Sequence, residues 1–327
     1  MADVCEASVS SVYSVDYKKI RVHSCAFVVP MIFKTLQHNF KLLGKRRFIF
    51  MFALPLVVCV FLVATRIESS AVQLRRVEMK KDDFRVPFRK PLRVLHISDT
   101  HLYNSAAVKR LHKALDLALP HSPDIAVITG DFGIMPQNEH DYLLALSYFQ
   151  LLSQAMPTFA CLGNHDYQRK PKKFPPPGPS VLKFLADANI TVLQNECKSI
   201  IVNGQRIVIA GMEDYWKGRP NAQGCLPLID EPREDVHYLL LDHNPDHLLK
   251  LQDYDWDVAF SGHAHGGQIK IPFIEWRPHT NLENNHLARP GIQEIFPKRY
   301  LCESVGLGNL YELRMFCKPD ITILDIK

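Results

Sequence analysis

LRVLHISDTH, residues 92–101, is an apolar run that ends in two residues able to bind a divalent metal ion. The run from Leu92 to Ile97 predicts a buried β-strand. Asp99 and His101 follow it two positions apart, and side chains at that spacing point the same way in an extended chain. Both side chains can therefore ligate one ion, and the strand behind them would hold their backbone in place.

Two similar units follow along the chain. The predicted strands cover 124–129 and 158–162, and helical spacing of apolar residues predicts helices over 106–119 and 139–154. Each of these strands leads into a short polar motif, Gly130-Asp131 and then Gly163-Asn164-His165-Asp166. The β-α-β-α-β order implies a parallel sheet with covering helices, in which the strand ends bring the polar residues together.

The later half of the chain has a different pattern. Residues 199–210 predict a hairpin around Asn203-Gly204, which is a strong turn signal. Further strands are predicted at 236–240 and 258–260, and a terminal antiparallel pair at 310–316 and 321–324. We expect an α/β (α+β) fold in which two sheets pack face to face with helices outside.

The later strands also precede metal-binding residue types, namely His243 and the pair His263 and His265 in Gly-His-Ala-His-Gly. Taken singly, each short motif is more often a turn or a surface histidine than a ligand. Together they offer carboxylate, amide and imidazole groups without thiolate, which suits Mn²⁺, Fe or Zn²⁺ better than Ca²⁺. Asp131 is the residue placed to bridge two ions, and two ions about 3.5–4 Å apart polarise a phosphoryl group. The set predicts an enzyme that hydrolyses a phosphoester or phosphoanhydride with two bound divalent ions, and Mn²⁺ is the ion that we expect.

In order and spacing, these motifs resemble the calcineurin-like metallophosphoesterases over about residues 92–327. The resemblance implies a four-layer αββα sandwich with a dinuclear metal centre at the strand ends. It implies one ion held by Asp99, His101, Asp131 and His265, and a second held by Asp131, Asn164, His243 and His263. His165 would be the catalytic residue, stabilising the transition state or protonating the leaving oxygen without binding metal. Asp166 could orient His165 or could simply form the turn.

The chain departs from the family pattern at one position. Many members carry a second Asp shortly after the Gly-Asp motif, where it supports the catalytic histidine, and Ile134 stands there in this chain. The support of His165 is therefore open. A non-catalytic scaffold on the same fold is a distant alternative, because such proteins tend to lose ligands and this chain keeps all seven.

The region ahead of the motifs is basic and contains one long apolar run. Residues 1–93 carry 17 Lys+Arg against 7 Asp+Glu, whereas residues 94–327 carry 22 against 27. The uncharged run between Arg47 and Arg66 is just long enough to span a bilayer as a helix. These features divide the chain into a basic leader (1–47), a transmembrane or anchor segment (48–65), a charged tether (66–91) and the metallophosphoesterase domain (92–327).

Other interpretations of the leader stay open. A soluble core helix is disfavoured because the run has no polar face, and a cleaved signal peptide would need an unusually long basic region. Arg46-Arg47 loosely resembles a twin-arginine export signal, and the apolar patch 25–33 could form a hairpin with the main segment. The expected location is the bacterial inner membrane with the catalytic domain in the cytosol, although basic residues on both flanks leave sidedness open.

Ser304-Val305-Gly306-Leu307-Gly308 and Arg314 resemble a membrane-associated bacterial branch of the family. This resemblance implies a lipid-linked nucleotide substrate, with UDP-2,3-diacylglucosamine cleaved to UMP and 2,3-diacylglucosamine 1-phosphate in lipid A biosynthesis. The candidate substrate contacts are the basic residues Arg169, Lys172, Lys173 and Arg314, with a solvated loop as the alternative for the first three. The runner-up activity is a phosphodiesterase acting on another lipid, nucleotide or wall polymer. The mildly acidic body disfavours nucleic acid, and no protein partner is implied.

Overall fold

The computed structural model describes residues 34, 38, 49–134, 138–168, 178–270, 280–308 and 312–327. The chain divides into two compact units, Met1–Val60 and Phe61–Lys327. Helix α1 (Leu54–Ser70) follows a π-helical turn over Ile49–Ala53. The stretch Met51–Ser70 is long and apolar enough to cross a membrane by length and composition. The predicted anchor segment, 48–65, is thus helical where it is described, and the helix continues five residues beyond it.

The first sheet contains β1 (Gln73–Met79), β2 (Leu92–Ile97), β3 (Ile125–Thr129), β4 (Thr158–Cys161), β5 (Thr191–Val192) and β12 (Asp320–Ile326). Its strand order is β1-β12-β2-β3-β4-β5, and β1 and β12 run parallel to each other but opposite to the other four strands. From β2 to β5 all neighbours are parallel, as the sequence predicts, and β12 runs antiparallel to β2. The carboxyl ends of β2, β3 and β4 therefore lie at one edge of the sheet.

Three helices follow strands of this sheet: α2 (Ser105–Ala118), α3 (Glu139–Ala155) and α4 (Pro179–Asp187). Asn104 and Asn138 cap the first two, because each side-chain oxygen accepts a hydrogen bond from a backbone N–H one turn later, at 3.0 and 2.8 Å. Both helices begin and end within one residue of their predicted bounds.

The second sheet contains β6 (Glu196–Val202), β7 (Gln205–Gly211), β8 (Val236–Leu241), β9 (Val258–Ser261), β10 (Gly291–Phe296) and β11 (Arg299–Glu303). Its strand order is β10-β11-β9-β8-β7-β6. The predicted hairpin is confirmed, with Val202 paired to Gln205 across Asn203-Gly204. Strands β7, β8 and β9 are parallel, so their carboxyl ends also meet at one edge.

Three apolar clusters define the layers of the body. Leu95 and Ile97 of β2 pack against α2, whereas Leu92 and Val94 of the same strand belong to a second cluster, as the period of two requires. That second cluster holds β2, β3, β7, β8 and β9 together and so forms the interior between the two sheets. The third cluster covers the outer face of the second sheet with Trp256 and with 3₁₀ turns over Pro245–Lys250 and Asn285–Ala288.

The predicted mixed α/β fold with two sheets is confirmed. Within the described residues, α-helices cover the first sheet, and 3₁₀ turns form the layer over the second.

Two assignments made from the sequence are wrong. Residues 66–91 are not a tether, because β1 lies in the first sheet, paired along its length with β12, and Phe84 and Phe88 are buried. Residues 312–316 are not part of a terminal hairpin: Glu312 and Phe316 adopt left-handed backbone angles, and β12 pairs with β1 and β2 instead. Residues 309–311 lie outside the described residues, as do the leader patch 25–33 and the basic loop with Arg169, Lys172 and Lys173.

Candidate metal centre

The predicted ligand side chains follow strand ends in both sheets and lie close together in the structure. Asp99 and His101 follow β2, Asp131 follows β3 and Asn164 follows β4, whereas His243 follows β8 and the pair His263 and His265 follows β9. Six of the seven side chains are buried, and Asn164 is half-buried. Backbone hydrogen bonds join the loops, including Asp99 N to Gly130 O at 3.0 Å and Gly262 N to His243 O at 3.1 Å. The side chains therefore converge from five strand ends.

The first group consists of Asp99, His101 and His265, whose ligand atoms all lie within 4.8 Å of one another. Asp99 Oδ1 is 3.5 Å from His265 Nε2 and 3.9 Å from His101 Nε2, and the two imidazole nitrogens are 3.2 Å apart. His101 turns its other nitrogen, Nδ1, toward the Tyr103 hydroxyl at 3.4 Å. One carboxylate oxygen and two imidazole nitrogens thus face a common point.

The second group consists of Asp131, His243 and His263 within the same 4.8 Å limit. Asn164 joins it, because its Oδ1 lies 3.0 Å from His263 Nδ1. His243 Nδ1 donates a hydrogen bond to the Thr129 carbonyl oxygen at 2.6 Å, which directs the lone pair of Nε2 toward Asp131. A hydrogen bond of this kind fixes the tautomer of a metal-binding histidine.

Asp131 lies between the two groups. Its Oδ2 is 3.6 Å from His101 Nε2 of the first group and 3.4 Å from His243 Nε2 of the second. A single carboxylate oxygen therefore faces both sets of imidazoles, as a bridging ligand must.

The donor set fits two divalent ions. Asp99 Oδ1, His243 Nε2 and His263 Nε2 are buried without a hydrogen-bond partner among the described residues. A buried polar atom without a partner costs free energy, and coordination of an ion would remove that cost for the atoms that bind it. The set contains oxygen and imidazole nitrogen but no thiolate, as Mn²⁺, Fe and Zn²⁺ accept.

Electrostatics also favour a cation here. Burial lowers the pKa of His101 to about 4 and that of His263 to about 3, so these imidazoles are neutral, as metal ligands must be. Burial raises the pKa of Asp99 to about 6. Burial also opposes the charged form of His243, but the neighbouring Asp131 outweighs it and raises the pKa of His243 well above its ordinary value. The same carboxylates would attract a metal cation bound between them.

The ligand backbone is strained. Asp99, His101, Asp131, His263 and His265 all have positive φ, between 42° and 64°. This left-handed conformation is uncommon outside glycine, although Asp and His adopt it more readily than β-branched residues. Such residues cluster at sites where the surrounding structure determines the geometry. The loops are thus shaped to present side chains and not to form regular structure.

Glycines let the loops approach these side chains. A Cβ atom on Gly262 would lie 2.1 Å from Asp99 Oδ2, and one on Gly163 would lie 2.3 Å from Asp131 Oδ1. On the other side, a Cβ on Gly308 would lie 2.6 Å from His101 Cβ. Gly308 belongs to the Ser304–Gly308 segment, which therefore packs directly against the first group.

His165 differs from the seven candidate ligands because its side chain is exposed. Its backbone N–H donates to Asp131 Oδ1 at 2.8 Å, and its ring lies edge-on to that of His101, with centroids 5.3 Å apart. A cleft of about 420 Å³ adjoins it, lined in part by Tyr103, Ile134 and Gln168. His165 thus lies at the rim of the centre, where it can reach a bound molecule.

Asp166 stabilises the turns that carry the ligands. Its Oδ2 accepts hydrogen bonds from Asp131 N at 2.7 Å and Gly163 N at 2.9 Å, and its Oδ1 accepts one from Phe132 N at 2.9 Å. Burial and the neighbouring Asp131 carboxylate raise the pKa of Asp166 to about 7, against the N–H donors facing both oxygens, which favour the ionised form. Asp166 fixes the loops after β3 and β4 together, in agreement with the turn-forming alternative.

Arg314 is not a substrate contact, which corrects the prediction for this residue. Its side chain is fully buried, and its guanidinium donates to the carbonyl oxygens of Val305, Gly306 and Gly308 at 2.7, 3.1 and 2.6 Å. A charged residue can be buried when its donors are satisfied in this way. Arg314 therefore holds the segment that packs against the first ligand group.

Two supporting residues escaped the sequence analysis. Ser98 Oγ donates to Asp99 Oδ2 at 2.6 Å, and the Thr129 carbonyl orients His243. Ser98 lies between the end of β2 and Asp99, and Thr129 is the last residue of β3 before Gly130-Asp131. That adjacency to a candidate ligand motif is the signal that could have identified them.

Comparisons with known proteins identify relatives of this chain. Residues 92–267 match the calcineurin-like phosphoesterase family. The chain is 30% identical to phosphodiesterase YaeI of Escherichia coli over 72% of this chain and 82% of that protein. It is 28% identical to the UDP-2,3-diacylglucosamine pyrophosphatase LpxG of Chlamydia muridarum, over 82% of this chain and 93% of that protein. Among solved structures, a 5′-nucleotidase precursor from Thermus thermophilus aligns with a TM-score of 0.41 at 17% identity, over 67% of this chain and 50% of that one.

The matched residues contain all five ligand motifs, from Asp99 to His265. The family binds two divalent metal ions, and the two groups of side chains described above could hold them. The chain belongs to the calcineurin-like phosphoesterase family and is a metallophosphoesterase, a hydrolase.

Proposed function

We propose that this protein is a membrane-anchored pyrophosphatase that cleaves UDP-2,3-diacylglucosamine to UMP and 2,3-diacylglucosamine 1-phosphate. The observation that carries the hydrolytic part is the position of Asp131 Oδ2 between two groups of ligand atoms. The substrate rests on similarity to a protein named for this activity, which extends over 93% of that relative. The apolar helix α1 suits a lipid-linked substrate, because an anchored enzyme meets such molecules at high effective concentration.

Two Mn²⁺ ions suit the donor set best in this proposal. Asp99, His101, Asp131 and His265 would hold one ion, and Asp131, Asn164, His243 and His263 would hold the other. When bound, such ions polarise the phosphoryl group and lower the pKa of water. The helix α1 would place the enzyme at the inner membrane of a bacterium, with the catalytic domain in the cytosol.

His165 is the proposed proton donor to the leaving oxygen. Its side chain is exposed at the rim, while its backbone N–H is held by Asp131 Oδ1 at 2.8 Å. In the reaction, the oxygen of a water molecule forms a new bond to one phosphorus of the pyrophosphate and the anhydride P–O bond breaks. The His165 imidazole gives a proton to the departing oxygen, and the proton released by the water restores the imidazole through solvent. The adjoining 420 Å³ cleft offers room for the groups that flank the pyrophosphate.

The test uses the full chain in detergent micelles with Mn²⁺ and UDP-2,3-diacylglucosamine, and measures release of UMP. We expect turnover, and a fall in kcat of roughly 10²–10⁴-fold in the His165→Asn variant, which is the range for general acid–base groups. Metal content should stay unchanged in that variant. His112→Asn serves as the matched control, because His112 is an exposed histidine on α2, paired with Asp116.

Two other outcomes would redirect the assignment. Turnover of bis(4-nitrophenyl) phosphate without release of UMP would favour the second candidate, a phosphodiesterase acting on another lipid, nucleotide or wall polymer. The similarity to the phosphodiesterase YaeI favours that candidate. A chain without turnover of either substrate and without bound metal would contradict the proposed catalytic role altogether.

A further inference from the structure

A second cleft of about 570 Å³ lies beside the end of α1, and none of the candidate ligand side chains lines it. Its walls include three cationic residues, Arg75, Lys270 and Lys318, together with Glu68 and the aromatic ring of Phe316. The proposed function assigns no role to this cleft.

The charges of the cleft favour an anion. Arg75 is partly engaged, since its Nε donates to Asp320 Oδ2 at 2.8 Å. The carboxylate of Glu68 accepts a hydrogen bond from the backbone N–H of Cys317 at 2.6 Å, and this bond partly offsets its negative charge in the wall of the cleft. Lys270 and Lys318 add two further positive charges to the lining. Clustered Lys and Arg side chains are well suited to bind phosphate groups.

Phe316 gives the mouth of the cleft an apolar edge. Its side chain is 61% exposed, and its backbone has a φ of 53°. A bulky aromatic residue rarely adopts the left-handed conformation, and such strain often accompanies a functional position. Exposed aromatic residues next to basic ones are typical of surfaces that lie at the boundary between headgroups and acyl chains.

The cleft is joined to the apolar helix by direct contact. Glu68, which accepts the Cys317 N–H, lies in the last turn of α1. Next to it and one turn earlier, Ile67 and Val63 expose apolar side chains. If α1 spans a bilayer, the cleft therefore lies close to the point where the chain leaves it.

We propose that this cleft binds the phosphate headgroup of an anionic phospholipid from the bilayer that holds α1, with Phe316 inserted at the acyl boundary. The proposal rests on the membrane anchorage in the proposed function, but not on the reaction or its substrate. The bound lipid would dock the catalytic body on the membrane surface.

The cleft is also connected to the metal centre. Cys317 Sγ donates to the carbonyl oxygen of His265 at 3.4 Å, and Lys270 N donates to Met315 O at 2.8 Å. A headgroup held by Lys270 and Lys318 therefore restrains the same loop that presents the ligand His265.

The experiment places a tryptophan at the mouth of the cleft. The full-length Phe316→Trp variant is titrated in mixed micelles with brominated phosphatidylglycerol or brominated phosphatidylcholine, and its fluorescence is compared with that of the wild type. We expect the added emission to be quenched by phosphatidylglycerol at a several-fold lower mole fraction than by phosphatidylcholine. Adding Lys270→Gln and Lys318→Gln should raise the required phosphatidylglycerol fraction roughly 30-fold, since each basic residue near an anionic surface contributes about 1 kcal/mol. Lys183→Gln on α4, where the side chain is 71% exposed, should leave the titration unchanged.

Equal quenching by the two lipids, or no effect of the lysine substitutions, would overturn the headgroup site. Displacement of phosphatidylglycerol by dissolved glycerol 3-phosphate would also overturn it, in favour of a soluble phosphate ligand. The readout involves no hydrolysis and uses micelles, so it succeeds or fails separately from the UMP assay.

Discussion

Replacing Asp166 by asparagine tests whether this carboxylate holds the two central ligand loops together. The carboxylate accepts three backbone N–H groups at 2.7–2.9 Å, from Asp131, Gly163 and Phe132. Asparagine has nearly the same shape, but one of its two terminal atoms is an NH₂ group. Whichever way it turns, at least one buried N–H donor faces another donor.

The orientation with the smaller loss places the amide oxygen at the Oδ2 position. It keeps the bonds from Asp131 and Gly163 and leaves Phe132 N–H without an acceptor. An unsatisfied buried donor costs about 1–3 kcal/mol, and a bond to a neutral acceptor is worth roughly 1 kcal/mol less than one to a charged acceptor. The unsatisfied donor and the two weakened bonds together give an expected loss of roughly 3–5 kcal/mol in the free energy of unfolding. For a body of this size that loss corresponds to a fall in Tm of about 6–20 °C.

The assay is thermal unfolding of the full chain in detergent with EDTA, so that the binding of metal does not contribute. Asp187→Asn is the matched control, because Asp187 is a partly exposed carboxylate paired with Lys183 on the surface of α4. Such pairs are worth about 0–1 kcal/mol. If Asp166→Asn lowered Tm no more than Asp187→Asn does, the account of Asp166 as the residue joining the two loops would be refuted.

Three further predictions follow from the site and its surroundings. Gly262→Ala should destabilise the fold by about 1–3 kcal/mol and reduce the amount of bound metal, because the added Cβ would lie 2.1 Å from Asp99 Oδ2. In the control Gly204→Ala, the added Cβ has no atom within 4 Å, so the metal content measured by mass spectrometry should be unchanged. Removal of metal by EDTA should abolish hydrolysis, and Mn²⁺ at about 100 times its Kd should raise the free energy of unfolding by about 2.7 kcal/mol, an effect that must be absent in Asp131→Ala. Burial would raise the pKa of Asp325, but hydrogen bonds from its arginine partners, chiefly Arg93, hold it below 3.8. A lowered native pKa gives stability that is fully present above the unfolded pKa and is lost as the pH falls through the native pKa. Asp325→Asn should therefore lower the free energy of unfolding by about 1 kcal/mol at neutral pH, with solvent screening allowed for. Urea unfolding at a series of pH values should show that the stability of this variant depends less on pH below about pH 4.

The sequence predicted those parts of the fold whose partners are close along the chain. Strands β2, β3 and β4, their helices and the Asn203-Gly204 hairpin each carry a local apolar period or a turn signal. The candidate ligands could also be picked out from the sequence, because Asp99, Asp131 and His265 each follow a strand in a short motif.

Other features depended on contacts that no local pattern records. Strand β1 was mistaken for a tether because it is rich in charge, yet Arg75 pairs with Asp320, 245 positions away. Arg314 was expected at the surface because it is charged, and its burial depends on three carbonyl oxygens of a turned segment. The alternation around it resembled a strand, but the left-handed angle at Phe316 interrupts an extended chain.

The position of β12 constrains how the chain reaches its native state. This strand lies between β1 and β2, with Gln73 opposite Asp320 and Met79 opposite Ile326. A ribosome releases β1 and β2 long before β12, so the sheet has a gap of one strand during most of synthesis. Closing a loop of this length is slow, and the waiting strand edges are open to wrong pairing. Deleting residues 320–327 would leave that gap permanently and would separate the segment after α1 from the rest of its sheet.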